Sequence, residues 1–176
     1  MEKCLLIVNA DEKVLEGRTA FLARRLEQLV AEGEFRLVIA AKTIPKPGSS
    51  IQLLSGSEGE ETGDILPAVK AAAHHVVASA GYSKANDRLV KILRDAGAGE
   101  VFIAGLDTEK HVLQTAADLF EKGFAPRVLT HYCVSTAGPQ MHRVGLIVLG
   151  RLIGRENLVK GRHPSDRAEG AEDTAA

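Results

Sequence analysis

The sequence lacks several features that mark particular classes of protein. It has no Trp, only 4% aromatic residues, and nearly balanced acidic and basic residues, for a formal net charge of -1. Proteins that bind nucleic acid usually carry a basic face, and those that bind single strands add exposed aromatic side chains for stacking. The composition therefore predicts no nucleic-acid partner.

Cysteines and long apolar runs are also scarce. Cys4 and Cys133 lie far apart and have no metal-ligand spacing, which predicts neither disulfides nor a zinc site and favours a reducing compartment. No apolar run approaches the roughly 20 residues of a membrane span, and residues 1–3 lead directly into a run too short for a secretory core. We therefore predict a cytoplasmic location and no membrane partner.

The chain does contain a regular alternation of strand-like and helix-like segments. Residues 4–8 form a continuous apolar run, typical of a strand that is covered on both faces, and residues 17–32 have helical periodicity. Further strands are predicted at 35–41, 76–79, 101–104, 127–130 and 157–159, and further helices at 68–73, 86–96, 109–122 and 140–153. This order predicts a three-layer α/β/α, Rossmann-like domain over residues 1–160 with a central, mostly parallel sheet.

Two segments do not fit this alternation. Residues 42–64 form a long loop rich in Pro, Gly and Ser, whose role stays open, and residues 161–176 lack apolar anchors and are predicted to be a disordered tail. In a parallel sheet, ligands bind beyond the carboxyl ends of the strands. The segments that follow predicted strands are 9–11, 41–47, 79–84, 105–111 and 130–135.

One of these segments carries a recognisable motif. Residues 104–116 read AGLDTEKHVLQTA, which resembles the pattern A-G-x-x-T-[DE]-x-C-V-x-x-T-A of the isochorismatase-like, or cysteine hydrolase, superfamily. His111 is the one fixed position that differs. Residues 131–135 are also similar, although the family usually has aspartate at the position of His131. The resemblance covers about residues 3–160 and implies the isochorismatase-like α/β fold.

The resemblance also implies a set of site residues. In the family, a cysteine at a helix N-terminus is the nucleophile, an aspartate after the first strand transfers protons, and a lysine after the third strand stabilises charge. The matching positions here are His111, Asn9 and, within a residue or so, Ser79. An amide does not take up protons near neutral pH, and a hydroxyl carries no charge. We therefore predict that cysteine-dependent amide hydrolysis is absent.

Two neighbouring residues offer replacements for the lost groups. Asp11 lies two residues after Asn9 and points the same way if the strand continues, and Lys84 reaches the same rim if its loop folds back. The alternative is that Asp11 caps the next helix with Glu12, and that Lys84 is solvated.

Two hypotheses about function follow. In the first, the protein is non-catalytic and binds a small molecule or a partner. In the second, it hydrolyses a small amide, ester or vinyl ether with His111 and Asp11. A hydrogen bond between those two side chains would favour the second.

The sequence predicts no cofactor and no metal. Family members that bind a metal carry an Asp-x-His-x-His-like cluster after the second strand, whereas residues 41–48 here read AKTIPKPG. Residues 144–149 (VGLIVL) are apolar around more of the helix than one-sided packing requires. This predicts a closed homo-oligomer, a dimer or tetramer, as the resemblance also implies.

Overall fold

In the computed structural model, which describes residues 3–55 and 63–160, six strands form one sheet. They are β1 (Lys3–Val8), β2 (Leu37–Thr43), β3 (His75–Ser79), β4 (Glu100–Leu106), β5 (Ala125–Val134) and β6 (Leu158–Val159). The strand order is β3-β2-β1-β4-β5-β6, and every pairing is parallel. The predicted parallel α/β sheet is confirmed.

Helices cover both faces of this sheet. They are α1 (Ala20–Ala31), α3 (Pro67–Ala72), α4 (Asp87–Asp95), α5 (Leu113–Glu121) and α6 (Pro139–Leu152). A further short helix, α2 (Ser50–Ser55), contributes no residue to the apolar clusters. One apolar cluster joins the sheet to α4, α5 and α6, and a second joins it to α1 and α3. Successive residues of β1 alternate between the two clusters, which explains why this strand has no polar face. None of the described helices is long and apolar enough to cross a membrane.

Several predicted boundaries are wrong. β5 extends to Val134, so residues 131–134 belong to the strand rather than to a loop after it. Its pairing with β4 shifts register between Ile103 and Gly105, and the strand continues beyond this irregularity. Helix α2 lies within the predicted loop 42–64, and its Leu53 and Leu54 are exposed, so no buried stripe marks it. Residues 56–62 and the predicted tail, 161–176, lie outside the described residues.

The strand order reverses direction between β1 and β4, which is the point where ligands bind in sheets of this kind. Gly105 allows these two strands to approach closely at this point. Its φ is +126°, and a Cβ atom on it would overlap the carbonyl oxygen of Val8. Only glycine fits such a backbone, so Gly105 of the motif serves strand packing.

Candidate functional site

A cavity of about 190 Å³ lies beyond the carboxyl ends of β1, β2 and β4. It is lined by Asn9, Asp11, Val14, Lys42, Thr43, Leu106, Asp107 and His111. Three of the four predicted site residues are thus brought together, and the fourth, Ser79, is not part of the lining. The location agrees with the strand-end argument from the sequence.

His111 lies on a single π turn, Thr108–Val112, that connects β4 to α5. Its Nδ1 is 3.1 Å from the carbonyl oxygen of Tyr82, and because a carbonyl only accepts, Nδ1 carries the proton. Nε2 then holds the lone pair, and no described side chain forms a hydrogen bond with it. Burial, together with the nearby charge of Lys84, lowers the pKa of His111 to about 4. The imidazole is therefore neutral at physiological pH and accepts through Nε2.

Lys84 is completely buried, so of the two alternatives left open by the sequence the solvated one is wrong. Its Nζ donates to Thr43 Oγ1 at 2.5 Å and to the carbonyl oxygen of Gly81 at 3.2 Å. Among the described residues it has no carboxylate partner. Burial, and secondarily the charge of Lys110, lowers the pKa of Lys84 to about 7. With a pKa of about 7, Lys84 is present in both its charged and its neutral form near pH 7. In the neutral form, the two acceptors match the two N–H groups and the lone pair is unused.

Asn9 directly follows β1 and has a φ of 52°, a left-handed conformation that asparagine adopts more readily than most residues. Its Oδ1 accepts hydrogen bonds from the backbone N–H and the hydroxyl of Thr43, at 3.0 and 3.1 Å. Because that hydroxyl also accepts from Lys84, the three residues form one hydrogen-bonded chain. Both lone pairs of the Asn9 side-chain oxygen are therefore occupied.

Ser79 serves the loop that carries Lys84. Its hydroxyl donates to the carbonyl oxygen of Ser83 at 2.7 Å and accepts from the Gly81 N–H at 3.2 Å. At the far side of this loop, the Lys84 N–H donates to Thr115 Oγ1 at 3.0 Å. The Ser79 turn and Thr115 of the family motif together hold Lys84 against Thr43, behind the cavity lining.

Asp11 is engaged in a local turn. Its Oδ1 accepts from the Lys13 N–H at 2.9 Å, and its backbone pairs with Ile65 in an isolated bridge. The turn precedes the first helical residues, which begin at Gly17, so the predicted helix cap is a turn instead. In the described part of the chain no hydrogen bond joins Asp11 to His111. The contact that would favour hydrolysis is not made.

Asp107 is a further cavity residue that the sequence did not single out. Its Oδ1 accepts from the N–H and the hydroxyl of Thr136, both at 2.7 Å, and its Oδ2 is 3.0 Å from Lys110 Nζ. Burial alone would raise the pKa of Asp107, but these bonds and the Lys110 charge outweigh it and hold the pKa below its ordinary value. Asp107 is therefore an ionised carboxylate that fixes the segment before α6.

Neither cysteine lies at the cavity, and burial raises the pKa of both Cys4 and Cys133 to about 12. Only a thiolate reacts with alkylating agents, so we expect native-state labelling by iodoacetamide to be at least about 100-fold slower than labelling of the unfolded chain. Timed mass spectrometry checks this, with labelling in guanidinium chloride as the control. Rapid stoichiometric modification of Cys133 in folded protein would contradict this expectation. We also expect any activity of the protein to survive thiol alkylation.

In residues 3–55 and 63–160, no group of three or more His, Cys, Asp or Glu side chains is placed to hold a metal ion. The cavity lining supplies a neutral imidazole, the amine of Lys42, one ion-paired carboxylate and one carboxylate engaged in a turn. The buried amine of Lys84 lies behind the lining and reaches it through Thr43. These groups can bind a polar ligand and exchange protons with it.

Comparison with solved structures identifies the fold. The isochorismatase-like hydrolase of Alkaliphilus metalliredigens is 15% identical, with a TM-score of 0.73 over 86% of this chain and 92% of that one. Nicotinamidase of Bacillus subtilis is 21% identical, with a TM-score of 0.67 over 88% and 97%. N-carbamoylsarcosine amidase of Thermoplasma acidophilum is 20% identical, with a TM-score of 0.68 over 92% and 100%.

Sequence comparison identifies the family. No curated protein sequence matches significantly. The family profile described as the isochorismatase domain matches residues 48–152, which is more than half of the chain and includes the His111 turn. The chain therefore belongs to the isochorismatase family.

Proposed function

We propose that this protein binds a small polar molecule in the His111 cavity and performs no cysteine-dependent hydrolysis. The proposal rests on which polar atoms of the cavity already have hydrogen-bond partners within the protein. The Asn9 oxygen is occupied by Thr43, Asp11 Oδ1 by the Lys13 N–H, and Asp107 by Thr136 and Lys110. His111 Nε2 is left as an acceptor without a partner among the described residues.

The cavity supports a ligand that donates a hydrogen bond to this nitrogen. Its volume of about 190 Å³ suits a single small ring, and Lys42 on its rim supplies a positive charge. A related solved structure, PnC1 of L. infantum, contains nicotinate, which is a ring of this size. Nicotinamide adds N–H donors that match a neutral imidazole acceptor, so it is the first probe to use.

Histidine-detected NMR tests this proposal. With protein labelled at its imidazole carbons, we expect nicotinamide to cause a saturable shift of the His111 signal, and no ammonia to be released over hours. Because the His111 signal is absent from His111→Gln, ligand-detected saturation-transfer NMR compares the variants: His111→Gln should lose nicotinamide binding, while His75→Gln, a change at an exposed residue of β3, should not. Absence of any saturable shift with millimolar nicotinamide or nicotinate would contradict the proposal.

One observation favours the alternative, a hydrolase of a small amide, ester or vinyl ether that uses His111 and Asp11. Lys84 is a buried amine with a pKa of about 7, which is suited to proton transfer at physiological pH. Ammonia release that is lost in His111→Gln and follows a pKa near 7 in its pH–rate profile would establish this alternative. Loss in Asp11→Asn as well would assign the carboxylate a part.

We also propose that the protein is a dimer or tetramer. Helix α6 leaves five large apolar side chains exposed on one side, with Arg151 at the C-terminal end of the same side. The five are Met141, Val144, Ile147, Val148 and Leu152. A face of this kind is usually covered by another subunit. Light scattering at micromolar concentration should show the oligomer in the wild type and monomer in Ile147→Glu, with Arg143→Glu on the same helix as the control. A monomeric wild type would contradict this prediction.

A further inference from the structure

A second cavity, of about 370 Å³, lies on the far side of the His111 turn, between α1, the end of β5 and the start of α6. It is lined by Phe21, Arg25, Thr130, His131, Cys133, Val134, Ser135, Gly138, Pro139 and His142. None of these residues lines the His111 cavity. Nothing in the proposed function uses this second cavity, although it is the larger of the two.

Arg25 determines which class of ligand this cavity favours. One N–H of its Nη1 donates to the carbonyl oxygen of His131 at 2.9 Å, and its guanidinium carbon lies 5.0 Å from the centroid of the Phe21 ring. These contacts fix the orientation of the guanidinium, while its other N–H groups have no partner among the described residues. A fixed guanidinium with free donors binds carboxylates through paired hydrogen bonds.

The remaining lining residues complete the site. Arg25 is the one permanently charged side chain among those that line the cavity. The nearby carboxylate of Glu109 accepts from Ser135 Oγ at 2.8 Å, and Glu109 is not part of the lining. His142 is held in place because its Nδ1 is 2.7 Å from Thr108 Oγ1. Phe21, Val134 and Pro139 give apolar contact surface beside the charge.

We propose that this cavity is a second small-molecule site, and that it takes an aromatic carboxylate. The carboxylate pairs with the free N–H groups of Arg25, and the ring lies against the apolar wall formed by Phe21, Val134 and Pro139. Binding is non-covalent and independent of His111.

Fluorine NMR with fluorobenzoate as the probe tests the proposal. We expect saturable line broadening with the wild-type protein, and at least about tenfold weaker binding in Arg25→Gln, because the charged hydrogen-bonded pair is lost. Arg24→Gln is the matched control, since Arg24 is the adjacent and exposed arginine of the same helix. His111→Gln should also bind normally, so that failure of the proposed function and failure of this site are distinguishable.

A second comparison needs no variant. Fluorobenzamide has the same ring but no negative charge, so the wild-type protein should bind it at least about tenfold more weakly than fluorobenzoate. Equal binding of the two probes, equal binding by Arg25→Gln, or loss of binding in His111→Gln would overturn the proposal. Absence of saturable binding at millimolar fluorobenzoate would overturn it as well.

Discussion

The double variant Asn9→Asp/His111→Cys should hydrolyse nicotinamide at least about 100-fold faster than His111→Cys alone, because a thiol needs a proton acceptor and the leaving amine needs a donor. Asn9 can be neither. An aspartate there keeps the acceptor for Thr43 and gains a second carboxylate oxygen that can carry the proton. Asparagine and aspartate both tolerate the left-handed backbone at this position.

The resemblance alone indicates a triple variant that also contains Ser79→Lys, and the structure changes this expectation. Lys84 already places an amine behind the cavity lining, linked to Asn9 through Thr43. The Ser79 hydroxyl closes the turn that positions Lys84, so replacing it removes two hydrogen bonds from that turn. We expect the triple variant to be no faster than the double variant.

Steady-state ammonia release from nicotinamide compares these variants. Gln140→Glu combined with His111→Cys is the control, because Gln140 is exposed in the first turn of α6, where an added carboxylate is tolerated. Turnover by His111→Cys that equals the double variant would mean that Asp11 already acts as the proton carrier. In that case our proposal of a non-catalytic site would lose its chemical basis.

Lys84→Met should raise the free energy of unfolding by about 3 kcal/mol at pH 7. Lowering the pKa from 10.5 to about 7 reflects a burial cost, and each unit corresponds to about 1.4 kcal/mol, or about 5 kcal/mol in total. The variant avoids this cost but loses the two hydrogen bonds of Nζ, at about 1 kcal/mol each. The difference is the expected net gain in the free energy of unfolding.

The same substitution should change the pH dependence of stability. Between pH 7 and 10.5 the unfolded chain holds a proton on Lys84 that the folded protein has released, so wild-type stability rises with pH by up to about 1.4 kcal/mol per unit. Above pH 9 the two thiols oppose this trend, because their folded-state pKa values of about 12 exceed the unfolded value. The informative window is therefore pH 7 to 9.

Urea unfolding at several pH values measures both effects. In that window the stability advantage of Lys84→Met should shrink towards zero as the wild type gains stability. Lys91→Met serves as the control, since Lys91 pairs with Asp95 on the exposed side of α4 and should change stability by less than about 1 kcal/mol. The opposite result has two parts: Lys84→Met is less stable than the wild type, and the free energy of unfolding of the wild type does not change between pH 7 and 9. That result would show that the amine is charged in the folded state.

Much of the fold can be predicted from the sequence because most strands and helices are marked by apolar patterns within their own residues. The apolar runs of β1 and β4 indicate strands covered on both faces, and the chain order then leaves few possible topologies. The extension of β5 is different. Arg127, Thr130 and His131 interrupt its apolar pattern, and the ion pair of Arg127 with Glu100 depends on the neighbouring strand.

The residues of the candidate site also fall into two groups, those that local sequence predicts and those that depend on distant contacts. Asn9, Asp11 and His111 were found because they follow strands or occupy a motif position. Burial of Lys84 depends on a hydrogen bond to Thr115, 31 residues away, and on the Ser79 turn. A lysine in a polar loop gives no local sign of either contact, so the sequence alone cannot decide between the buried and the solvated alternative.

The central position of β1 has a consequence for the protein while it is being synthesised. One edge of this strand pairs with β2 early, but its other partner, β4, begins at Glu100. At about 5–20 residues per second, the ribosome needs roughly 5 to 20 s to deliver that partner. Meanwhile an apolar strand with an open edge can pair with other nascent chains. Slower translation between β2 and β4 should therefore increase the insoluble fraction, and chaperones that shield open strands should reduce it.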